Sequence, residues 1–468
     1  MLTVLIYLVL GANALISLAW PWIGIVLSYI IALLAPQYIW WWAFGGLRPS
    51  FWVLAPALAG FLIAAVRGKV NFAPLNTRLN RCVALLWLCA TIAYYFGPYV
   101  DVVNEWRFYD PEFMFSLMQK TFLTYFVAVL LIDDTRKLKF ATVAILVTAA
   151  YMIYWANAQY FLYHKFGRIH GPTNLWGQGI YADENDFAVL FVTGFPFLFY
   201  LGEYLGNRIV KWALWGLIIF SWHAVFLTAS RGALLGIGAV LFVFALRSHK
   251  RAVGLAVIVC FVAIYAWQAG DVMKSRSATI TTYEQEDSAS SRIEAWRAAI
   301  GMMAAHPLTG VGFASFGQAF PHFSDKRPRV AHNTFFQIGG EWGIVAAGAY
   351  LLLMFSTLNR LRKNGRRLRE AEGGPDGRLH LYLNESCLLA MTGFFVCSLF
   401  LSLQGYEVLY YLLLVSNATL VCSGYHQSQA RSRESPARRI AARRLTARAG
   451  VPDARQRVIS GTAGSEST

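Results

Sequence analysis

Long apolar runs recur along the whole chain, and they limit its possible folds more than any other feature. A run of about 18 to 20 apolar residues crosses the hydrocarbon core of a bilayer as a helix. The sequence predicts such spans at 2–19, 21–42, 50–66, 82–98, 119–132, 140–158, 187–205, 212–228, 232–246, 252–268, 334–358, 383–402 and 406–424. We therefore expect an all-α polytopic membrane protein with 12 or 13 transmembrane helices, because Trp20-Pro21-Trp22 either separates the first two spans or kinks a single one.

The composition excludes several soluble classes. Only 14% of the residues are charged and 57% are hydrophobic, whereas a typical soluble domain is about 25% charged. This argues against a soluble globular enzyme, a disordered chain and a disulfide-stapled secreted module. The formal net charge is nevertheless +16. A nucleic-acid partner would need basic residues clustered on a soluble surface, so the positions of the charges decide the interpretation.

The excess of basic residues lies on one side of the predicted spans. It is concentrated in segments 67–81, 133–139, 203–211, 247–251, 359–380 and 427–468. The segments that alternate with them carry slightly more acidic than basic residues. Cytoplasmic loops are enriched in Lys and Arg, so the basic side is predicted to be cytoplasmic. The net charge therefore indicates topology and a membrane-lipid partner, and no nucleic acid is expected.

One polar segment, 269–333, is much longer than the others and lies on the outer side. Loops of this length inside compact proteins are usually functional. The sequence therefore predicts an N-terminal transmembrane bundle at 1–268, the outer loop at 269–333, C-terminal transmembrane helices at 334–426 and a basic tail at 427–468. The tail is polar and lacks apolar periodicity, so we expect it to be disordered and cytoplasmic.

Several arginines on the outer side run against this charge bias. They are Arg168, Arg231, Arg276, Arg292 and Arg297. An arginine at a helix end usually extends to the membrane interface. Arg231, however, precedes Gly232 and Gly236, and this GxxxG spacing lets a neighbouring helix approach closely and would bury the base of the arginine. Several guanidinium groups beside a membrane suit a diphosphate.

Arg292 and Arg297 belong to an amphipathic stretch, 291–303, whose apolar residues recur at helical spacing. A helix of this kind often lies flat on the membrane. That alternative accounts for the apolar residues, but it does not account for two arginines on the outer side.

His332 stands where the outer loop meets the span predicted at 334–358. A single interfacial histidine is most often a hydrogen-bonding residue, but a neutral imidazole also suits removal of a proton from a hydroxyl. Gly339 and Gly343 belong to a series of small residues typical of helix packing. Glu341 falls inside the span, where an ionisable group needs a partner or a cavity. It either pairs with a neighbouring arginine or serves a site.

The sequence contains no pattern typical of a metal or nucleotide site. It has no D-x-D pair, no H-E-x-x-H and no GxxxxGKS/T. We therefore expect neither a metal nor a cofactor. A reaction driven by a lipid-diphosphate leaving group requires neither.

Short motifs also carry a family resemblance. They are 168–172 (RIHGP), 182–186 (ADEND), 228–236 (TASRGALLG), 280–287 (ITTYEQED), 291–296 (SRIEAW), 306–313 (HPLTGVGF) and 331–333 (AHN) with Gly343. Their order and spacing resemble the superfamily of O-antigen ligases and polysaccharide polymerases, and more narrowly the exosortase A-associated O-glycosylation ligases. In the ligase motif, His332, Asn333 and Gly343 match, and Ala346 departs from the Gly, Thr or Tyr of the family.

The resemblance implies a GT-C-like glycosyltransferase in the bacterial inner membrane, with its active site facing the periplasm and its C-terminus in the cytoplasm. The implied donor is an undecaprenyl-diphosphate-linked glycan. The implied acceptor is a glycan or a Ser/Thr hydroxyl of an exported protein. The implied transfer is metal-independent and inverting.

The resemblance also implies roles for individual residues. His332 would be the general base, while Arg231 and Arg292 would hold the diphosphate. Further donor-binding residues would be Arg168, Arg297, Asp183, Glu184 and Asn185. Structural roles would fall to Gly232, Gly236, Gly339 and Gly343.

Three alternatives stay open at this point. A polysaccharide polymerase would use the same donor and the same residues. A flippase or transporter of lipid-linked glycan is expected to show internal repeats and charges near the middle of the membrane, and the sequence shows no repeat. A membrane scaffold leaves the outer arginines unexplained.

Overall fold

The computed structural model describes residues 2–44, 46–174, 179–247, 251–268, 287–371 and 375–424. Every regular element within these ranges is a helix, so the all-α prediction is confirmed there. The helices of nine or more residues are α1 Leu2–Ala19, α2 Pro21–Leu34, α3 Pro49–Val66, α4 Arg78–Phe96, α5 Pro111–Leu131, α6 Thr135–Phe161, α7 Glu184–Tyr204, α8 Arg208–Thr228, α9 Arg231–Arg247, α10 Arg251–Gln268, α11 Asp287–Ala305, α12 Thr334–Trp342, α13 Ile344–Glu370, α14 Pro375–Ser398 and α15 Glu407–Cys422. Shorter helical turns are Pro36–Ile39, Trp41–Phe44, Ala73–Leu75, Phe316–Ala319 and Phe320–His322. Arg276, the motif residues 280–286 and the predicted tail at 427–468 lie outside the described residues.

A helix lies at every predicted span. Within the described ranges, 8 helices are long and apolar enough to cross a membrane, namely α3 to α8, α13 and α14. The shorter apolar helices α1, α2, α10 and α15 occupy further predicted spans. The remaining span, predicted at 232–246, is α9, with 17 residues and an arginine at each end. The chain is therefore a multi-pass membrane protein.

Two predicted spans are interrupted, so the prediction of single continuous helices there was wrong. Ala35 breaks the span predicted at 21–42, because it adopts a left-handed φ of 47° and the next residue, Pro36, has no N–H to continue the helix. Gly343 divides the span predicted at 334–358 into α12 and α13. Its φ is 88°, a value that glycine adopts without steric conflict.

The break at Gly343 is stabilised by the connection between α11 and α12. Val311 donates its N–H to Gly340 O near the end of α12 (2.8 Å). Ile344, the first residue of α13, donates its N–H to Pro307 O (2.9 Å). The backbone groups freed by the break therefore bond to protein, as non-helical backbone at membrane depth requires.

The loops that carry His332, Arg168 and Asp183 meet at one end of the bundle, which we call the His332 face. They are residues 97–110, 162–174, 179–183, 229–230, 306–333 and 399–406. Backbone hydrogen bonds join them to each other and to helix ends. Tyr99 N–H donates to Val311 O (3.0 Å), and Ile169 N–H donates to Leu227 O (3.1 Å).

Glycines bring α9 close to α14. A Cβ atom at Gly236 would lie 2.6 Å from Cys397 Sγ, and one at Gly232 would lie 3.2 Å from Phe400 Cβ. Real Cβ contacts are rarely this short, so a larger residue at Gly236 would separate the helices. This contact fixes the position of α9, whose first residue is Arg231.

The other end of α9 is held by a buried ion pair. Arg247 Nε and Nη2 each lie 2.6 Å from a carboxylate oxygen of Glu385 in α14. Arg369 of α13 reaches the same carboxylate at 3.1 Å. Glu385 is only 2% exposed, and a carboxylate at such a site needs this compensation. Three helices are therefore joined at the end opposite the His332 face.

We expect Gly236→Ala to destabilise the protein, because the added methyl group overpacks the contact with Cys397. The loss should be about 1 to 3 kcal/mol, measured as a lower thermal unfolding midpoint in detergent. Gly238→Ala is the matched control on the same helix, since a Cβ there meets nothing within 4 Å. Equal midpoints for the two variants would contradict the close approach of α9 and α14.

Candidate functional site

His332 lies in a tight turn whose backbone is held on both sides. Its φ is 47°, in a region that residues other than glycine rarely adopt. The preceding residue, Ala331, donates its N–H to Gln337 Oε1 (2.8 Å) and accepts a hydrogen bond from Trp296 Nε1 (2.9 Å). The following residue, Asn333, caps α12 with its side chain. The position of the imidazole is therefore set by a backbone with little freedom.

The surroundings of His332 favour a neutral imidazole. Burial lowers the pKa of His332, the Arg292 and Arg329 guanidinium groups lower it further, and Asp183 acts in the opposite direction. Since the pKa lies below the ordinary value of about 6.5, the ring is mostly uncharged at neutral pH. A neutral ring nitrogen can accept a proton from a hydroxyl.

Arg292, which acts electrostatically on His332, belongs to α11, and this helix packs against protein. Ala295 and Ala299 on this helix are fully buried in one apolar cluster with Phe316 and Ala331. The apolar face of α11 therefore covers a protein core, and the alternative of a helix lying flat on the membrane does not hold for this face.

Arg168 and Arg231 flank the end of α8. Arg168 donates from Nε to Thr228 O (3.1 Å), and its Nη1 lies 3.4 Å from the Glu184 carboxylate. Its Nη2 is buried without a hydrogen-bond partner among the described residues. Arg231 is half-buried and starts α9 directly after the turn that ends α8. The Arg168 guanidinium and the backbone of Arg231 therefore lie at the same corner of the His332 face.

The first turn of α7 links this corner to His332. Asp183 caps the helix and accepts hydrogen bonds from the Asn185 N–H (2.7 Å) and from its side-chain amide (2.9 Å). Glu184 pairs with Arg168, while the adjacent Asp183 acts electrostatically on His332. These acids therefore serve as a helix cap and an ion pair. In the described part of the chain, no three His, Cys, Asp or Glu side chains are grouped to hold a metal ion.

Arg297 does not join this group. Its side chain is 74% exposed and lies 3.6 Å from Glu294 on the same helix. Arg292 lies five residues earlier, about 140° around the helix at about 100° per residue. The two arginines therefore point in different directions, and only Arg292 acts on His332.

The predicted small-residue series in α12 packs against the connection that precedes it. Gly339 contacts the Met303 side chain at the end of α11. A Cβ at Gly343 would lie 2.6 Å from Pro307 O. These glycines therefore let the loop approach the broken helix, whereas small residues in membrane helices more often bring two spans together.

Glu341 is buried among amide groups. Gln337 donates from Nε2 to Glu341 Oε1 (2.9 Å), and the Phe316 N–H approaches the same oxygen at 3.4 Å. The sequence left open a pair with an arginine or a place in a site. Through Gln337, which also bonds to Ala331, Glu341 is connected to the turn that carries His332.

Three residues near the site were not anticipated from the sequence. Arg329 acts on His332, and Gln337 bonds to the preceding residue. Burial of the hydroxyl end raises the pKa of Tyr109, and carboxyls of α7 and α12 raise it further. Gln337 could have been found, because Asn333, Gln337 and Glu341 recur at four-residue spacing in an otherwise apolar segment. Arg329 and Tyr109 lie in irregular loops, where spacing predicts no neighbour.

Comparison with known proteins finds a family match in the central part of the chain. Residues 215–351 match a protein-family model described as O-antigen ligase. The matched stretch contains Arg231, Arg292 and His332, but neither Arg168 nor Asp183. No curated protein matches the chain. The family match supports a place in the O-antigen ligase superfamily and indicates a membrane enzyme of the O-antigen ligase or polymerase type.

Proposed function

We propose that the protein is an O-glycosylation ligase of the exosortase A-associated type, which transfers a glycan from an undecaprenyl-diphosphate donor to a hydroxyl acceptor. The reaction takes place at the His332 face. The positive-inside bias orients this face toward the periplasm, at the bacterial inner membrane. The acceptor is a Ser/Thr hydroxyl of an exported protein. A polysaccharide polymerase, with a glycan as acceptor, is the second candidate, because the family match includes both types.

The proposed transfer is a single displacement without a metal ion. The acceptor oxygen attacks the anomeric carbon, and His332 takes the proton of the acceptor hydroxyl. The bond between the anomeric carbon and the diphosphate oxygen breaks, and undecaprenyl diphosphate leaves with the electron pair. Attack from the face opposite the leaving group inverts the configuration at that carbon.

Arginines bind the leaving group in this proposal. Arg231 and Arg292 hold the diphosphate and stabilise the charge that develops as it leaves. Arg168 is a secondary contact, since its Nη2 has no hydrogen-bond partner among the described residues. Asp183 and Asn185 contact sugar hydroxyls together with Glu184. Arg297 is left out of the diphosphate site because it is exposed and turned away.

The observation that carries the proposal is that burial and the Arg292 guanidinium lower the pKa of His332, and that both residues lie inside the stretch that matches the O-antigen ligase family. In such a site the base can take the proton of the acceptor hydroxyl. The guanidinium can stabilise the charge that develops on the departing diphosphate. The acceptor is identified by incubating the purified protein with lipid-linked donor and EDTA. Either exported protein or free glycan is added, and glycan transfer to each is measured.

We expect His332→Ala to abolish most of the transfer, because the acceptor hydroxyl loses its base. The decrease in kcat should be on the order of a hundredfold or more, measured with lipid-linked donor in detergent. His322→Ala is the control, since His322 is exposed on the same face. Wild-type kcat in correctly folded His332→Ala protein would exclude the general-base role.

Arg231→Lys and Arg292→Lys should each weaken use of the donor, because lysine keeps the charge but loses the two-pronged guanidinium contact. We expect kcat/KM for the donor to fall on the order of tenfold to a hundredfold. Arg297→Lys, on the exposed side of α11, should leave kcat/KM near the wild-type value. If all three variants behave alike, the diphosphate site is assigned to the wrong arginines.

Activity should fall with decreasing pH as His332 becomes protonated. Two substitutions should shift the pH at which this loss occurs, in opposite directions. Asp183 raises the pKa of His332, so Asp183→Asn lowers that pKa and shifts the loss of activity to lower pH. Arg329 lowers the pKa, so Arg329→Gln shifts the loss to higher pH. The measurement is kcat against pH for the three proteins. Shifts in the same direction would show that the protonation of another group causes the loss of activity at low pH.

A further inference from the structure

A row of buried polar side chains follows one face of α12. Asn333, Gln337 and Glu341 are 6%, 2% and 4% exposed, and their four-residue spacing places them on the same side of the helix. Asn333 caps the helix, which accounts for its position. The other two residues need a separate explanation, since a carboxyl buried in a membrane protein is costly and is usually kept for a function.

The hydrogen bonds of this row have only one possible direction. The backbone N–H of Ala331 can only donate, so the oxygen of the Gln337 amide must face it, at 2.8 Å. The amide nitrogen of Gln337 then faces Glu341 and donates to its Oε1 at 2.9 Å. Ser402 Oγ donates to the Gln337 oxygen as well, at 3.1 Å. Glu341 is therefore the acceptor that keeps the Gln337 amide in this orientation.

The residue at the end of this chain of hydrogen bonds immediately precedes His332. Ala331 has both of its backbone polar groups bonded to side chains, its N–H to Gln337 and its C=O to Trp296. His332 itself has the left-handed φ of 47°, which a histidine keeps only when its surroundings hold it there.

We propose that Glu341 is a positioning residue for His332 and acts through Gln337. This inference rests on the proposed function, in which His332 takes the acceptor proton. Glu341 itself touches no reacting atom. It orients the Gln337 amide, the amide holds Ala331, and Ala331 sets the direction of the imidazole that follows it.

The test exchanges the two side chains. Gln337→Glu alone keeps an acceptor for the Ala331 N–H but sets two carboxyl groups against each other, and at a pH where both are ionised their repulsion displaces the side chain from the Ala331 turn. Glu341→Gln alone keeps an oxygen for the Gln337 amide and should have a small effect. The double variant Gln337→Glu/Glu341→Gln restores the three bonds that Gln337 makes, because the new glutamate accepts from Ala331 and Ser402 and the new glutamine donates to it. The one contact that it gives up is the long approach of the Phe316 N–H to the oxygen at 341 (3.4 Å).

We expect Gln337→Glu to lower kcat on the order of tenfold or more, since small displacements of a catalytic group have effects of this size, while KM for the donor changes little. The double variant should return kcat to the level of Glu341→Gln. A double variant as slow as Gln337→Glu, or a Gln337→Glu protein with wild-type kcat, would overturn the proposal.

A second measurement does not depend on transfer activity. Diethyl pyrocarbonate modifies accessible neutral histidines, and peptide mass spectrometry compares His332 with the exposed His322 in the same sample. The rate at His332 should change in Gln337→Glu and return in the double variant, while the rate at His322 stays constant. If the wild-type protein transfers no glycan, the proposed function fails. The His332 rates still decide whether Glu341 positions the turn, and equal rates in all variants would exclude it.

Discussion

The break in the helix at Gly343 is the constraint on which the rest of the His332 face depends. A broken helix within a membrane protein leaves backbone N–H and C=O groups that lipid cannot satisfy. In this protein the connection between α11 and α12 satisfies them, through Val311 and Pro307. The connection must therefore fold tightly against the helix. As a consequence, the loop that carries His332 is part of the packed structure, although its sequence is irregular.

The glycines of this region follow from the same constraint. Gly310 adopts a φ of 59° and lies against the backbone of α12, where a Cβ would approach Gly340 O at 2.5 Å. Gly343 has its own left-handed φ. Both positions combine an unusual backbone conformation with a close backbone contact, and only glycine meets the two requirements together.

The sequence predicted the membrane fold well because span length depends on bilayer thickness, a property of the solvent. The family resemblance predicts His332 and Arg292 as members of one site, and this stays a prediction; the structure adds that the Arg292 guanidinium lowers the pKa of His332. The sequence could not predict that Arg297 points away from this site, because the interpretation considered which side of the membrane a residue occupies and not which face of α11. Nor could it predict the break at Gly343, since a single glycine in an apolar run is also common in continuous membrane helices.

The two ends of α9 show how a site at a membrane surface can be built on a rigid element. Arg247 is fixed by the buried Glu385 carboxylate, and Gly236 holds the middle of the helix against α14. A helix of this length spans about 25 Å at about 1.5 Å per residue, so the contacts that hold α9 extend from Arg247 at one end to Gly232, beside Arg231, at the other. His332, in contrast, is positioned by local hydrogen bonds within a loop. A diphosphate bound by both Arg231 and Arg292 would therefore connect α9 with α11, which packs against Ala331 beside His332, and the geometry of the reaction would depend on both helices.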